Sequence, residues 1–154
     1  MMLDRDVKCP KRSTFGSAGY DFYAPDTYEL RPGEWTMIDT GVRLTDCDVV
    51  ERTDIVRINE CVGRRKDYVA DWFMMLVPRS GLSNKYGFRI RNTVGIIDMD
   101  YRDTIKVMVT VDEPYGLEKG EKFVQGIIMP FGTFRNEIPP TKKRQGGHGS
   151  TGKF

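Results

Sequence analysis

Apolar and polar residues alternate with a period of two along much of this chain, the spacing of strands rather than helices. From Thr104 to Thr110, Ile105, Val107 and Val109 interleave with Lys106, Met108 and Thr110, and Phe88 to Arg91 repeats the pattern. Because successive strand side chains point to opposite faces, this alternation predicts strands with one face in a core. Trp72 to Val77 and Phe123 to Met129 are instead short apolar runs, closed by Pro78 and Pro130. Their length and their closing prolines predict strands covered on both faces.

Glycine and proline recur at Pro25, Pro32-Gly33, Gly41, Pro78, Gly81, Gly87, Gly95, Pro114, Gly116, Gly120, Pro130 and Gly132. That spacing leaves no room for helices of ordinary length. The exception is Ser80 to Tyr86, where Ser80 is placed to cap one or two helical turns that stop at Gly87. The fold class is therefore mostly β, with one short helix.

Two stretches depart from this pattern. Residues 45 to 71 are dense in charge (Asp46, Asp48, Glu51, Arg52, Asp54, Arg57, Glu60, Arg64, Arg65, Lys66, Asp67, Asp71), which fits a long hairpin or an inserted excursion. From Pro139 to Phe154 the chain carries four cationic residues, four glycines and little that a core would bury. The division expected is a β-domain over 1–138, containing the charged insertion at about 45–71, and a flexible tail over 139–154.

Composition narrows the class further. With 154 residues, one domain is expected. The net charge of +2, from 24 basic and 22 acidic residues, gives no whole-molecule field of the kind that draws nucleic acid. Cys9, Cys47 and Cys61 are odd in number and lack Cys-x-x-Cys spacing, and His148 is the one histidine, so a zinc site or a disulfide framework is not expected. The N-terminal charges have no apolar run behind them, and no stretch has the length and apolarity of a membrane span. These features predict a soluble protein of the cytoplasm or another reducing compartment, the nucleus included if the source is a eukaryote or a virus.

Candidate chemistry lies in four places. Asp98 and Tyr101 follow a buried apolar run, so that a carboxylate and an aromatic share one turn; either they activate water beside a sugar or they merely stabilise the turn. Arg79-Ser80-Gly81 offers a planar cationic fork at the start of a short helix, fit for an anion or for an ordinary cap. Gly16 to Asp21 sets small residues before a carboxylate, which either holds a Mg²⁺-bound water or serves the turn. In the tail, Gly147 to Lys153 has P-loop spacing but no Ser or Thr after the lysine and no helix to follow. Its glycines, with Arg144, Ser150 and Thr151, can still wrap a polyphosphate.

Taken in order, Ala18-Gly-Tyr-Asp21, Pro78-Arg-Ser-Gly-Leu82, Asn92-Thr-Val-Gly-Ile-Ile-Asp98-x-x-Tyr101, Gly120-Glu-Lys-Phe-Val-Gln125 and Gly146-Gly-His-Gly-Ser-Thr-Gly152 resemble the five motifs of the trimeric deoxyuridine triphosphatases (dUTPases). The resemblance implies a distorted β-barrel or jelly roll and a homotrimer with active sites shared between subunits, closed by a tail lent from a neighbour. It also implies hydrolysis of dUTP to dUMP and pyrophosphate by in-line attack of water on the α-phosphate, with Mg²⁺ on the triphosphate. By this resemblance Asp98 is the general base, Asp21 holds metal-bound water, and Arg79, Ser80, Gly81 and Gln125 serve the phosphates. Asn92, Ile96, Ile97 and Lys106 hold the nucleoside, and Tyr101 packs beneath deoxyribose. Arg144, Gly149, Ser150 and Thr151 close on the nucleotide, while His148 covers uracil.

The chain also departs from the family pattern. His148 stands in place of the usual phenylalanine, Asp103 in place of a glycine and Lys122 in place of a frequent arginine. The compressed tail leaves Lys143 and Arg144 competing for the γ-phosphate, with Arg144 favoured for its fork. The 45–71 segment is longer than the family norm, as a hairpin or as a protein-binding surface. Two alternatives stand beside the resemblance: a dCTP deaminase-like enzyme of the same fold, disfavoured because Thr104 to Thr110 holds no glutamate, and a regulatory protein using the insertion.

Overall fold

The computed structural model describes residues 1–4, 6–44, 72–134, 136–138 and 140–141. The charged insertion and the tail residues Lys143, Arg144, His148, Gly149, Ser150 and Thr151 lie outside them. Eleven strands are described: β1 (Met2–Leu3), β2 (Gly19–Tyr23), β3 (Tyr28–Leu30), β4 (Thr36–Asp39), β5 (Val42–Arg43), β6 (Trp72–Pro78), β7 (Arg89–Ile90), β8 (Gly95–Asp98), β9 (Lys106–Thr110), β10 (Tyr115–Leu117) and β11 (Lys122–Pro130). One described helix, α1 (Ser80–Tyr86), separates β6 from β7.

The all-β class predicted from the alternation holds. Every strand ladder is antiparallel, and the strands form a four-stranded sheet in the order β2-β11-β6-β8, a three-stranded sheet β4-β9-β7 and the pairs β1-β5 and β3-β10. Among the described residues these ladders do not join into a closed barrel. Ile105, Val107 and Val109 are buried as their period requires, with Lys106 and Met108 only half-buried. They meet Phe22, Leu30, Ile38, Met74, Leu76 and Phe123 in one core, where the Phe88 and Phe123 rings meet edge to face at 6.4 Å.

Three local expectations are corrected. In the single chain neither apolar run is covered on both faces: β6 buries Met74 and Leu76 but leaves Phe73, Met75 and Val77 half-buried, and β11 becomes exposed at Met129 and Pro130. The N-cap of α1 is Arg79 in extended conformation rather than Ser80, and it makes no side-chain cap bond. The stop at Gly87 is as predicted, with φ at 62° and its N–H donating to the Ser83 carbonyl. No described helix is long and apolar enough to cross a membrane.

Candidate active site

Three neighbouring strands assemble the first half of the site. Asp21 of β2 lies opposite Gln125 of β11, which lies opposite Val77 of β6, and β6 then runs through Pro78 into Arg79 and α1. The register of β11 shifts between Lys122 and Val124, a bulge that lets Phe123 and Val124 both enter the core while Lys122 pairs with Tyr23. Asp21 and Tyr23 share a face, so the bulge aims Lys122 at the Asp21 carboxylate.

Asp21 is only 6% exposed, and every described partner favours its charged form. Its Oδ2 accepts from Lys122 Nζ at 2.8 Å and Ser13 Oγ at 2.6 Å, and its Oδ1 lies 3.2 Å from Arg79 Nε. Burial by itself would push the carboxyl upward, but the Lys122 and Ser13 hydrogen bonds and the Arg79 charge hold it below the usual carboxylate range. Lys122 Nζ also donates to Ser13 Oγ at 2.7 Å, closing a small ring of partners.

Beside this cluster opens a cleft of about 310 Å³ lined by Ser13, Ser17, Ala18, Gly19, Asp21, Arg79, Ser80, Gly81, Gln125 and Ile127. Four of the predicted phosphate residues thus meet, together with the predicted metal-water residue Asp21. Gly19 is closely approached, since a Cβ there would lie 2.3 Å from Oε1 at the movable end of the Gln125 side chain. Gly81 is not, because a Cβ would meet nothing within 4 Å, so its bareness faces the cleft side of the helix start and admits a close-approaching ligand.

Among the described residues no group of three or more His, Cys, Asp or Glu could cage a metal ion. Asp21 has two of its oxygens already engaged by three donors, which leaves room for about one more, such as a water. That donor set fits Mg²⁺ held through its own water while phosphate oxygens supply the inner ligands, and it does not fit a protein-built cage.

The second half of the site is the turn between β8 and β9. Asp98 is exposed at the end of β8 and pairs with Phe73. Its carbonyl accepts the Tyr101 N–H at 3.0 Å, which ties the carboxylate and the aromatic together. Tyr101 is 6% exposed, and its hydroxyl donates to the Thr104 carbonyl at 3.1 Å. Lys106 Nζ reaches Asp103 Oδ2 at 3.2 Å; hydrogen bonds from the Thr104 N–H and from Lys106 hold the Asp103 carboxyl low. On β8, Ile96 is 55% exposed while Ile97 is buried, so the strand, the last of its sheet among the described residues, presents one apolar side chain outward. Asn92 is exposed in the turn before β8, where Thr93 takes φ at 63° and the Val94 N–H donates to the Asn92 carbonyl at 2.6 Å. A left-handed β-branched residue is strained, and strain of this kind gathers where a backbone must present a fixed edge.

The two halves do not meet within one chain. Asp98 pairs with Phe73 at one end of β6 while Arg79 follows its other end, which at about 3.3 Å per residue separates them by on the order of 20 Å. Sequence reasoning missed Ser13, Ser17 and the role of Lys122. Lys122 sits inside a motif, but only the bulge turns it toward Asp21, and no local pattern marks Ser13.

The dUTPase family profile matches residues 70–152. A deoxyuridine 5'-triphosphate nucleotidohydrolase of Lactococcus lactis subsp. lactis is 33% identical over 156 residues, covering 95% of this chain and 89% of that protein. The crystal structure of dUTPase from Streptococcus mutans superposes with a TM-score of 0.62 at 26% identity, covering 88% of this chain and 98% of that one. A mutant dUTPase from phage phi11 of S. aureus, described for its coordination of a structural Mg(II) ion, has the same fold with a TM-score of 0.66 at 20% identity, covering 90% of this chain and 94% of that one.

Proposed function

The chain belongs to the dUTPase family, and from that premise we propose that it hydrolyses dUTP to dUMP and pyrophosphate in a site shared between subunits of a homotrimer. The observation that carries this reading is the cleft that gathers Asp21, Arg79, Ser80, Gly81 and Gln125 from three motifs far apart in sequence. It supplies a cationic fork, hydroxyls and the first N–H groups of α1 to a phosphate chain.

Asp98 takes the proton of the attacking water as its oxygen closes on the α-phosphorus, and pyrophosphate leaves in line on the far side. A base and its water must lie within hydrogen-bond reach, so a carboxylate on the order of 20 Å from the Arg79 end cannot serve its own chain's phosphate cleft. The Asp98 turn of one subunit therefore faces the cleft of another. Arg79 and Ser80 hold charge that builds on the phosphate oxygens, and Arg79 is oriented by its contact with Asp21. Asp21 would hold a water of Mg²⁺ bound to the triphosphate, and the ion would supply neutralisation of phosphate charge.

Asn92 and the backbone from Ile96 to Asp98, with Lys106 on the returning strand, read the uracil edge, and Tyr101 packs beneath deoxyribose. The tail residues Arg144 or Lys143, Gly149, Ser150 and Thr151 close over the phosphates with His148 on uracil. Release of pyrophosphate from dUTP, with no ammonia from dCTP, measured with and without Mg²⁺, tests the activity. Asp98→Asn is expected to lower kcat about 1,000-fold with KM for dUTP within a few-fold. Unchanged turnover in that variant would refute the assignment of the base.

A further inference from the structure

Thr104 stands out as a nearly buried polar residue, 7% exposed, beside the fully buried Ile105 and one turn away from the site. All three of its polar groups are engaged. Its N–H donates to Asp103 Oδ1 at 2.8 Å, its hydroxyl donates to Asp39 Oδ2 at 2.8 Å, and its carbonyl accepts the Tyr101 hydroxyl at 3.1 Å. Asp39 is itself fixed at the end of β4, where its Oδ1 accepts the Gly41 N–H at 2.9 Å. The Tyr101 N–H in turn closes on the Asp98 carbonyl.

We propose that Thr104, anchored by Asp39 and Asp103, is a positioning residue that fixes the Tyr101 ring and so sets discrimination between deoxyribose and ribose nucleotides. This rests on the reading that Tyr101 packs beneath the sugar. A valine would fill the same buried space, so burial does not explain the hydroxyl; its use is the tie from the β8–β9 turn to β4. The ring cannot tilt to admit a 2′-hydroxyl without breaking its bond to the Thr104 carbonyl. That carbonyl cannot follow the ring while the hydroxyl and N–H of the same residue are held by two carboxylates. A buried phenol left without its acceptor is costly, which makes the closed position the stable one.

The test compares dUTP with UTP in the full-length protein. Thr104→Val is expected to lower the dUTP-to-UTP ratio of kcat/KM about tenfold, mainly through a lower KM for UTP, while kcat on dUTP changes less than about twofold. Thr104→Ser, which keeps the hydroxyl, is expected to retain the wild-type ratio; so is Asp103→Asn, which keeps an acceptor for the Thr104 N–H. A general loss of packing would instead lower both substrates together and would not be rescued by serine. An unchanged ratio in Thr104→Val, with a collapsed ratio in Tyr101→Ala, would overturn the inference and leave Tyr101 as the sugar reader. An unchanged ratio in Tyr101→Ala would remove the sugar reading itself, and the inference with it. Should Thr104→Val not fold, Asp39→Ala, which removes the acceptor of the Thr104 hydroxyl, is expected to lower the same ratio, and its failure to do so would count against the inference.

Discussion

Asp21 is a carboxylate surrounded by cations, and its charge is part of the fold before any ligand arrives. Its pKa is depressed in the folded state, so ionised Asp21 contributes stability at neutral pH that persists above the ordinary carboxylate value and is lost only as pH falls through the lowered one. Asp21→Asn is expected to cost about 1 kcal/mol at pH 7, with Arg79 and Lys122 partly exposed and so partly screened. The gap between the two proteins should stay level down to about pH 4 and close below it; denaturant melts across that range check the sign. The motif residues were legible only taken together and in order, because each alone serves a turn or a helix cap as well as it serves a ligand. Their partners were not: Ser13 and Lys122 lie 109 positions apart, and only the paired strands bring them to the same oxygen.

Elements decide which side chains face the cleft. The central pair β6 and β11 was legible as apolar runs, and β9 as a clean alternation, because strand burial leaves a periodic trace. The bulge at Lys122 left none, since an extra residue shows only as two adjacent buried positions, Phe123 and Val124, inside a run that was apolar anyway. The glycines of this sheet separate packing from function. At Gly126 a Cβ would lie 2.5 Å from Met74 Sδ and 3.0 Å from the Phe22 ring, so Gly126→Ala is expected to cost about 1–3 kcal/mol and lower Tm. At Gly19 the obstruction is the end of the Gln125 side chain, which can swing aside into the cleft. Gly19→Ala should therefore move Tm little while lowering kcat/KM for dUTP at least about tenfold. Thermal melts and steady-state kinetics on both variants distinguish the two roles.

At the scale of the whole molecule, a single chain keeps Asp98, the proposed base, and the proposed phosphate cleft at opposite ends of β6. Shared sites predict complementation: Asp98→Asn and Arg79→Ala subunits, each inactive alone, should regain activity after unfolding and refolding together. Random mixing would leave about a quarter of the sites with both intact halves. No recovery on mixing would place both halves in one chain's site. The proposed oligomer rests on the five-motif resemblance, since no residue pattern states which surfaces copies would share, and the charged 45–71 segment declares no partner. The length of β6 has a further consequence, for kinetics. If one strand holds a base and its target apart, then turnover per polypeptide should not be constant: it should fall on dilution, as subunits part, and climb again when the protein is concentrated or when nucleotide holds neighbouring copies together.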